Sequence, residues 1–429
     1  MSLLLTANGS EYPKGEGSEH TNNQKILSKE IGQTVARLAQ AVLSVRPLVN
    51  ALEAPVRVAL LKDGDLIPTP SGECSPINGF GIEALLNRIA TRLGTCKFEF
   101  TQGLASNLTA FDHVVSYQLA LSPDHWTTFW VSMEALPDVD NIIDEILKHS
   151  LESYFKCSEV VSFDGVPLRA YAGGVPDGKV VVIVPACGMP VELCERWLRY
   201  LAEEHYVITW ESRGLFGKVE DFDTLAYDLP SQASDLFAVM DYFGVESGHV
   251  MGLCGGAVIA LASSSIQPER VSSLSLWHGD YELGPNCPKT NHQQDLELLM
   301  SMAGKSRKQA ISLQKLFTRP SILANMRADV AHLTLYPYAT GELLFRYGKL
   351  NGSIMTSDIK HMLNKVLQPT LVVTSEDDTT AHPEGSLRVA DKLSNATLQV
   401  EPHGDHLSLF DAKPTITQLA KRFIQYGTL

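Results

Sequence analysis

The sequence predicts a doubly wound α/β fold, and three observations carry that expectation. From Lys156 onward, short β-rich runs alternate with helical stretches. One run, Lys179-Val180-Val181-Val182-Ile183-Val184, is almost continuously β-branched, as suits a central strand covered on both faces. A later run, His249-Val250-Met251, passes into Gly252-Leu253-Cys254-Gly255-Gly256 and then into a helical pattern. That is the sequence form of a nucleophile elbow, with sulfur in place of a serine oxygen.

The elements follow in order. Val160–Phe163 reads as a strand, Asp164-Gly165 as a turn, Leu168–Ala172 as the partner strand and Pro176-Asp177-Gly178 as a second turn. After the strand at 179–184 come the loop Pro185-Ala186-Cys187-Gly188-Met189-Pro190 and a helix over 191–204. Tyr206–Trp210 is the next strand, Glu211–Gly217 its loop and 231–243 a helix. The elbow strand and its helix over 255–264 precede a strand at Val271–Trp277. Residues 281–358 break the rhythm with several helical stretches. The strands Pro369–Thr374 and Asn395–Val400 and a helix over 414–426 complete a core assigned to 151–280 and 359–429.

A sharp strand-to-helix turn holds its central residue in strained backbone geometry and exposes the side chain. Side chains at Gly252 or Gly256 would collide with the turned backbone, and Gly255 would present an N–H to a developing oxyanion. The helix that follows aims its positive end at the sulfur. The alternative for Cys254 is a small buried residue in a glycine-rich turn.

On these residues the chain resembles the α/β-hydrolase superfamily over about 157–425. The resemblance implies that the loop after the strand at 179–184 supplies an oxyanion donor. Cys187 N–H is the candidate, although Pro185-Ala186 stands where the family often has His-Gly. It makes Arg213, in Trp210-Glu211-Ser212-Arg213-Gly214, a structural brace. It places the acid after the strand at 369–374, where Ser375-x-x-Asp378 matches the family's Gly-x-x-Asp, so Asp378 is preferred over Asp377 and Glu376. It places the base at His406 in Gly404-Asp405-His406, with His403 as the alternative. Cys254, Asp378 and His406 then follow the family's order of nucleophile, acid and base. The resemblance also makes 281–358 a helical lid over an acyl pocket, with Met300, Met302, Leu313, Leu316, Phe317, Phe345 and Tyr347 as candidate lining residues. His278 and Asp280 are candidate substrate contacts. The glycine box is similar to that of polyhydroxyalkanoate synthases, with one residue fewer between the cysteine and the paired glycines. The general plan is similar to polyketide-processing hydrolases and thioesterases.

Residues 1–24 read as a flexible tail and 25–150 as an accessory α+β region. Ile31, Val35, Leu38, Val42 and Val45 predict one long helix, or two, over Lys25–Leu52. Arg57–Leu61 reads as a strand or buried segment, 62–81 as a loop and Ile82–Leu93 as a helix. Cys96–Phe100, Val114–Leu121 and Trp126–Met133 read as strands. Asp112, His113, Asp124 and His125 show no metal-ligand spacing. The region's role stays open between an entrance cover, a dimerisation surface and a partner-docking unit.

Composition bounds the rest. At 429 residues the chain is long enough for two units, and 44% apolar residues support a substantial core. A net charge of −14 with no basic cluster argues against a nucleic-acid partner. Seven cysteines without CxxC spacing read as reduced thiols. No signal-like start and no long apolar run is visible, so a cytoplasmic protein without stable membrane insertion is expected. No cofactor or metal is called for. The expected chemistry is acyl transfer from a thioester or ester through acyl-Cys254, in specialised metabolism. The substrate would be a small acyl compound, free or carried on CoA or a carrier protein. The alternative is hydrolysis of an ester, a thioester or a β-dicarbonyl C–C bond. A second alternative is a non-catalytic relative that binds a ligand.

Overall fold

The computed structural model of the protein describes residues 16–59, 80–100, 108–120, 139–216 and 222–428. Two short parallel strands, β1 (Val56–Val58) and β2 (Phe98–Phe100), belong to the N-terminal region. The main sheet contains β3 (Phe155–Val161), β4 (Pro167–Gly174), β5 (Val180–Val184), β6 (Tyr206–Trp210) and β7 (Gly248–Leu253). It continues with β8 (Val271–Trp277), β9 (Thr370–Ser375) and β10 (Ala396–Glu401). Their order across the sheet is β10-β9-β8-β7-β5-β6-β4-β3. β5 to β10 run parallel, and β4 and β3 join antiparallel at one edge.

The unbroken apolar run of β5 has a plain cause. Val182 and Val184 enter a core shared with Leu236 and Val258, from the helices Leu229–Tyr242 and Gly255–Ile266. Val181 and Ile183 point the other way, into a core with Trp197 and Phe423, from the helices Glu195–Ala202 and Pro414–Tyr426. Successive side chains of a strand face opposite sides, so a sheet covered twice needs apolar residues at every position. This layering leaves the carboxyl ends of β5, β7, β8 and β9 along one rim, where parallel sheets of this type carry their sites.

Arg213 is buried and divides its guanidinium between Asp235 and Asp164, with contacts of 2.8–2.9 Å. It braces the loop after β6, as expected. The insertion after β8 is helical, with long helices at Asn291–Ala303, Arg307–Phe317 and Gly341–Thr356.

The N-terminal region departs from expectation in three places. Its first helix runs Glu16–Ala51, so it begins inside the segment read as a flexible tail. Residues Ala110–Leu119, which take in most of the expected strand 114–121, form a helix instead. Thr109 and Asp112 close a capping box at its start, and most of its side chains are buried, which hides any helical stripe. A helix also forms at Val139–Leu147, where no element was expected. The expected strand Trp126–Met133, Asp124, His125 and most of the expected loop 62–81 lie outside the described residues.

The core of the N-terminal region, which includes Leu38, Val45, Leu86 and Val114, continues without a break into Leu323, Ala331, Leu335 and Ala339 of the lid. Polar contacts pin the same seam: Ser44 Oγ lies 2.7 Å from His332 Nε2, and Gln118 Nε2 donates to Ala328 O at 2.7 Å. The accessory region is thus packed against the lid.

Glu211 gives the fold a pH dependence. Its side chain is buried after β6, 3.2 Å from Arg169 Nε, and burial pushes its carboxyl up to about 8. The folded state therefore holds this proton more tightly than the unfolded chain. The resulting stabilisation is complete below the ordinary value of 4.5 and is lost as pH rises through about 8. Melting curves of Glu211→Gln should show a flatter decline of Tm than the parent over that interval. An unchanged slope would remove Glu211 as its source.

Candidate active site

Cys254 lies between β7 and the helix Gly255–Ile266 with φ 55° and ψ −126°. A side-chain-bearing residue in this region carries strain on the order of 1–3 kcal/mol. The turn is held from both sides: Cys254 N donates to Trp277 O and Ala257 N donates to Cys254 O, each at 2.9 Å. A Cβ at Gly252 would stand 2.5 Å from Ala257 Cα, and one at Gly256 would stand 2.5 Å from Pro185 O. Both glycines are therefore required by close backbone approach, as the sequence suggested.

Asp378 sits on the loop after β9 and is buried. Its Oδ2 accepts from His406 Nδ1 at 2.9 Å, and its Oδ1 accepts from Thr380 N and Ala381 N, also at 2.9 Å. A fourth bond was not anticipated. His278 Nδ1 lies 2.9 Å from the same Oδ2, with its ring 5.7 Å from that of His406 and nearly perpendicular to it. His278 is buried and adopts φ 49°, a left-handed conformation unusual for a residue with a side chain. It therefore supports the Asp378 carboxylate, whereas the sequence offered it as a candidate substrate contact. The one available signal was its position at the carboxyl end of β8, beside the elbow strand.

Burial works against a charge on Asp378, yet the bonds from His278 and His406 hold its carboxyl well below the usual carboxylate range. Burial likewise opposes a charge on His406. The Cys254 sulfur and the Asp378 carboxylate outweigh it and hold the imidazole well above its ordinary value. His406 Nε2 is buried with no hydrogen-bond partner of good geometry, and Cys254 and His406 line one cavity. Ligand atoms of His278, Asp378 and His406 lie within 4.8 Å of one another, a set able to hold a metal ion. Here the shared carboxylate oxygen already lies between the two Nδ1 atoms.

The alternatives for acid and base sit elsewhere. Asp377 and His403 pair with each other at 3.2 Å on the surface, where His403 is 89% exposed. Glu376 is also exposed. The Cys187 side chain is buried near Gln232, and burial pushes its thiol up to about 12, which leaves it a poor nucleophile. Its backbone is better placed. Among the described residues, neither Cys187 N–H nor Gly255 N–H enters a backbone hydrogen bond, and a Cβ on Gly255 would lie 3.9 Å from Cys187 N. Cys187 and Gly255 line the same cavity as Cys254.

The cavity is small, about 60 Å³. Of the seven lid residues expected to line it, Tyr347 does so. Met302 and Leu316 point outward, Met300 is buried beneath Gly352, and Phe345 packs on Phe222. The wall is formed instead by residues such as Leu296, Asn351, Ile354 and Met355, together with Asp280 and Gln293. Helical periodicity marks an apolar stripe but not which part of the stripe faces a cavity.

No family model matches the chain. Over 247 residues, 56% of the chain and 90% of the relative, it is 26% identical to a protein named putative carbamate hydrolase RutD from Variovorax paradoxus. The protein of the same name from Pseudomonas savastanoi pv. phaseolicola is 26% identical over 219 residues, 49% of the chain and 80% of the relative. Among solved structures, the esterase RhEst1 from Rhodococcus sp. ECU1013 superposes with a TM-score of 0.51 at 17% identity, over 63% of the chain and 99% of the esterase. The enol-lactonase from Burkholderia xenovorans LB400 gives a TM-score of 0.51 at 16% identity, over 63% of the chain and 99% of the lactonase. Taken with the strand order and the helical insertion after β8, these likenesses show that the chain has the α/β-hydrolase fold.

Proposed function

We propose that the chain is a hydrolase that cleaves an ester, thioester or carbamate through an acyl-Cys254 intermediate. The observation that carries this reading is the 2.9 Å bond from His406 Nδ1 to buried Asp378, which leaves Nε2 facing the cavity of Cys254. The names of the sequence relatives and the kinds of enzyme among the fold neighbours favour hydrolysis over the acyl transfer that the sequence put first.

In this reading His406 Nε2 takes the thiol proton as Sγ bonds to the carbonyl carbon. The oxyanion rests between the N–H groups of Gly255 and Cys187. The bond to the leaving group breaks, and His406 returns the proton to that group. Water then attacks the thioester while His406 takes one of its protons. The C–S bond breaks, the acid departs and the proton returns to sulfur. Asp378 keeps the imidazole in the Nδ1–H tautomer and stabilises its charged form. His278 and the N–H groups of Thr380 and Ala381 hold Asp378 in place.

Two measurements check this. Intact-mass analysis after mixing with a panel of short acyl esters, thioesters and carbamates should show one acyl group on the parent and none on Cys254→Ala. Free acid should form whether or not an amine acceptor is present. Undiminished turnover by Cys254→Ala would sink the proposal, and acid replaced wholly by acceptor product would turn it into a transferase. Separately, NMR titration of the His406 ring in Asp378→Asn should give a pKa lower by about 1–3 units, since the opposite charge is gone. An unmoved value would show that Asp378 does not set the charge of the base.

A further inference from the structure

The cavity holds a carboxylate that the reaction above does not use. Asp280 lies three residues after Trp277, in the loop that leaves β8, and lines the same cavity as Cys254 and His406. Its Oδ1 accepts from Gln293 Nε2 at 2.5 Å. Gln293 is itself fixed, because its Oε1 accepts from Thr290 N at 2.9 Å and from His382 N at 2.8 Å. Two backbone donors thereby decide which end of the amide faces Asp280, so Gln293 is a built support for that carboxylate.

Asp280 forms no ion pair among the described residues, although the imidazoles of His406 and His292 line the same cavity and their charge would act on it. The neighbouring Lys289 is already engaged by Glu282 and Glu297 at 2.5 and 2.9 Å. No hydrogen bond among the described residues uses Asp280 Oδ2. A carboxylate held this way in a mostly enclosed wall is costly unless something pairs with it, and burial pushes its carboxyl upward. A second acceptor faces the same space. Asn351 is buried, and its Nδ2 is turned to Met355 Sδ at 3.4 Å. Its Oδ1 is left toward Gly255, 3.6 Å from where a Cβ would stand. The wall therefore offers spare acceptors to whatever lies on the sulfur. A plain alkyl group would leave both unpaired.

Resting on the proposed acyl-Cys254 chemistry, we infer that Asp280 is a specificity-determining residue and that the enzyme takes a short acyl group carrying an N–H donor, which Asp280 Oδ2 receives. The cavity of about 60 Å³ sets the upper size, room for a few heavy atoms beyond the carbonyl. An ammonium or amide N–H suits a lone carboxylate best. A hydroxyl would satisfy the same atom more weakly.

Three thioesters of one thiol carrier with equal numbers of heavy atoms in the acyl group test this: butyryl, 3-hydroxypropionyl and 3-aminopropionyl. The parent should favour 3-aminopropionyl over butyryl by about tenfold or more in kcat/KM, with 3-hydroxypropionyl between them, because a site built for a donor rejects the analogue that lacks it. Asp280→Ala should lower that ratio about tenfold, chiefly through KM. Asp280→Asn, which keeps the shape and one acceptor oxygen, should lose the preference for the ammonium over the hydroxyl. A parent ratio near one, or a ratio that Asp280→Ala leaves unmoved, overturns the inference and leaves the acyl-enzyme reading standing. If none of the three acylates Cys254 in the parent while another short ester, thioester or carbamate of the panel does, the inference falls and the acyl-enzyme reading stands; if the whole panel leaves Cys254 unmodified, the acyl-enzyme reading itself falls.

Discussion

The site depends on how one buried carboxylate is held. Asp378 accepts four hydrogen bonds, two from imidazoles and two from backbone N–H groups of its own loop. An unpaired carboxylate at that depth would take up a proton and lose its charge-assisted bond to His406. With both Nδ1 atoms on one oxygen, the rings of His278 and His406 are fixed together, and the loops after β8, β9 and β10 meet at one atom. The geometry of His406 is therefore set by three strand ends and not by its own segment alone. The left-handed backbone of His278 is part of that arrangement, and its strain is offset within a network that has little freedom to relax.

The second constraint is the contact between chain segments around the sulfur. Gly252 and Gly256 allow the elbow to press against Ala257 and against the carbonyls of Val184 and Pro185. This brings the loop that carries Cys187 against the turn that carries Cys254. The lid closes the same space with the helix Gly341–Thr356, which carries Tyr347 and Asn351. Behind the lid stands the N-terminal region, whose core runs into Leu323 and Leu335. The insertion that walls the cavity thus shares a core with a unit distant from it in sequence.

Much of this was legible in the residues, for reasons that differ by element. The strand β5 announces itself because both of its faces are covered, which forces an unbroken apolar run, whereas β7, β8 and β9 are mostly buried but carry His249, Ser273, Ser275 and Thr370 within them. The elbow is legible because close backbone approach admits only glycine, so its spacing is sterically dictated. Asp378 and His406 follow from the resemblance to the α/β-hydrolase superfamily, whose motifs after the corresponding strands they match. The helix Ala110–Leu119 was missed because burial on nearly all sides erases its amphipathic period, although the Thr109–Asp112 capping box was there to be read. His278 was misassigned because its partner lies 100 residues away, and no local pattern encodes that meeting. The cavity wall was misassigned for a related reason. Met300 and Phe345 share helices with wall residues, and only the crossing of those helices decides which side chains see the sulfur.

The central claim is that carbonyl cleavage passes through Cys254. It is tested most directly by a rapid-quench single turnover in ¹⁸O-labelled water, with the peptide containing residue 254 followed by mass spectrometry. The account predicts that the acylated peptide rises and decays before the acid is complete, and that the released acid carries one labelled oxygen. Labelled acid formed at full rate with no modified Cys254 peptide at any time would contradict it.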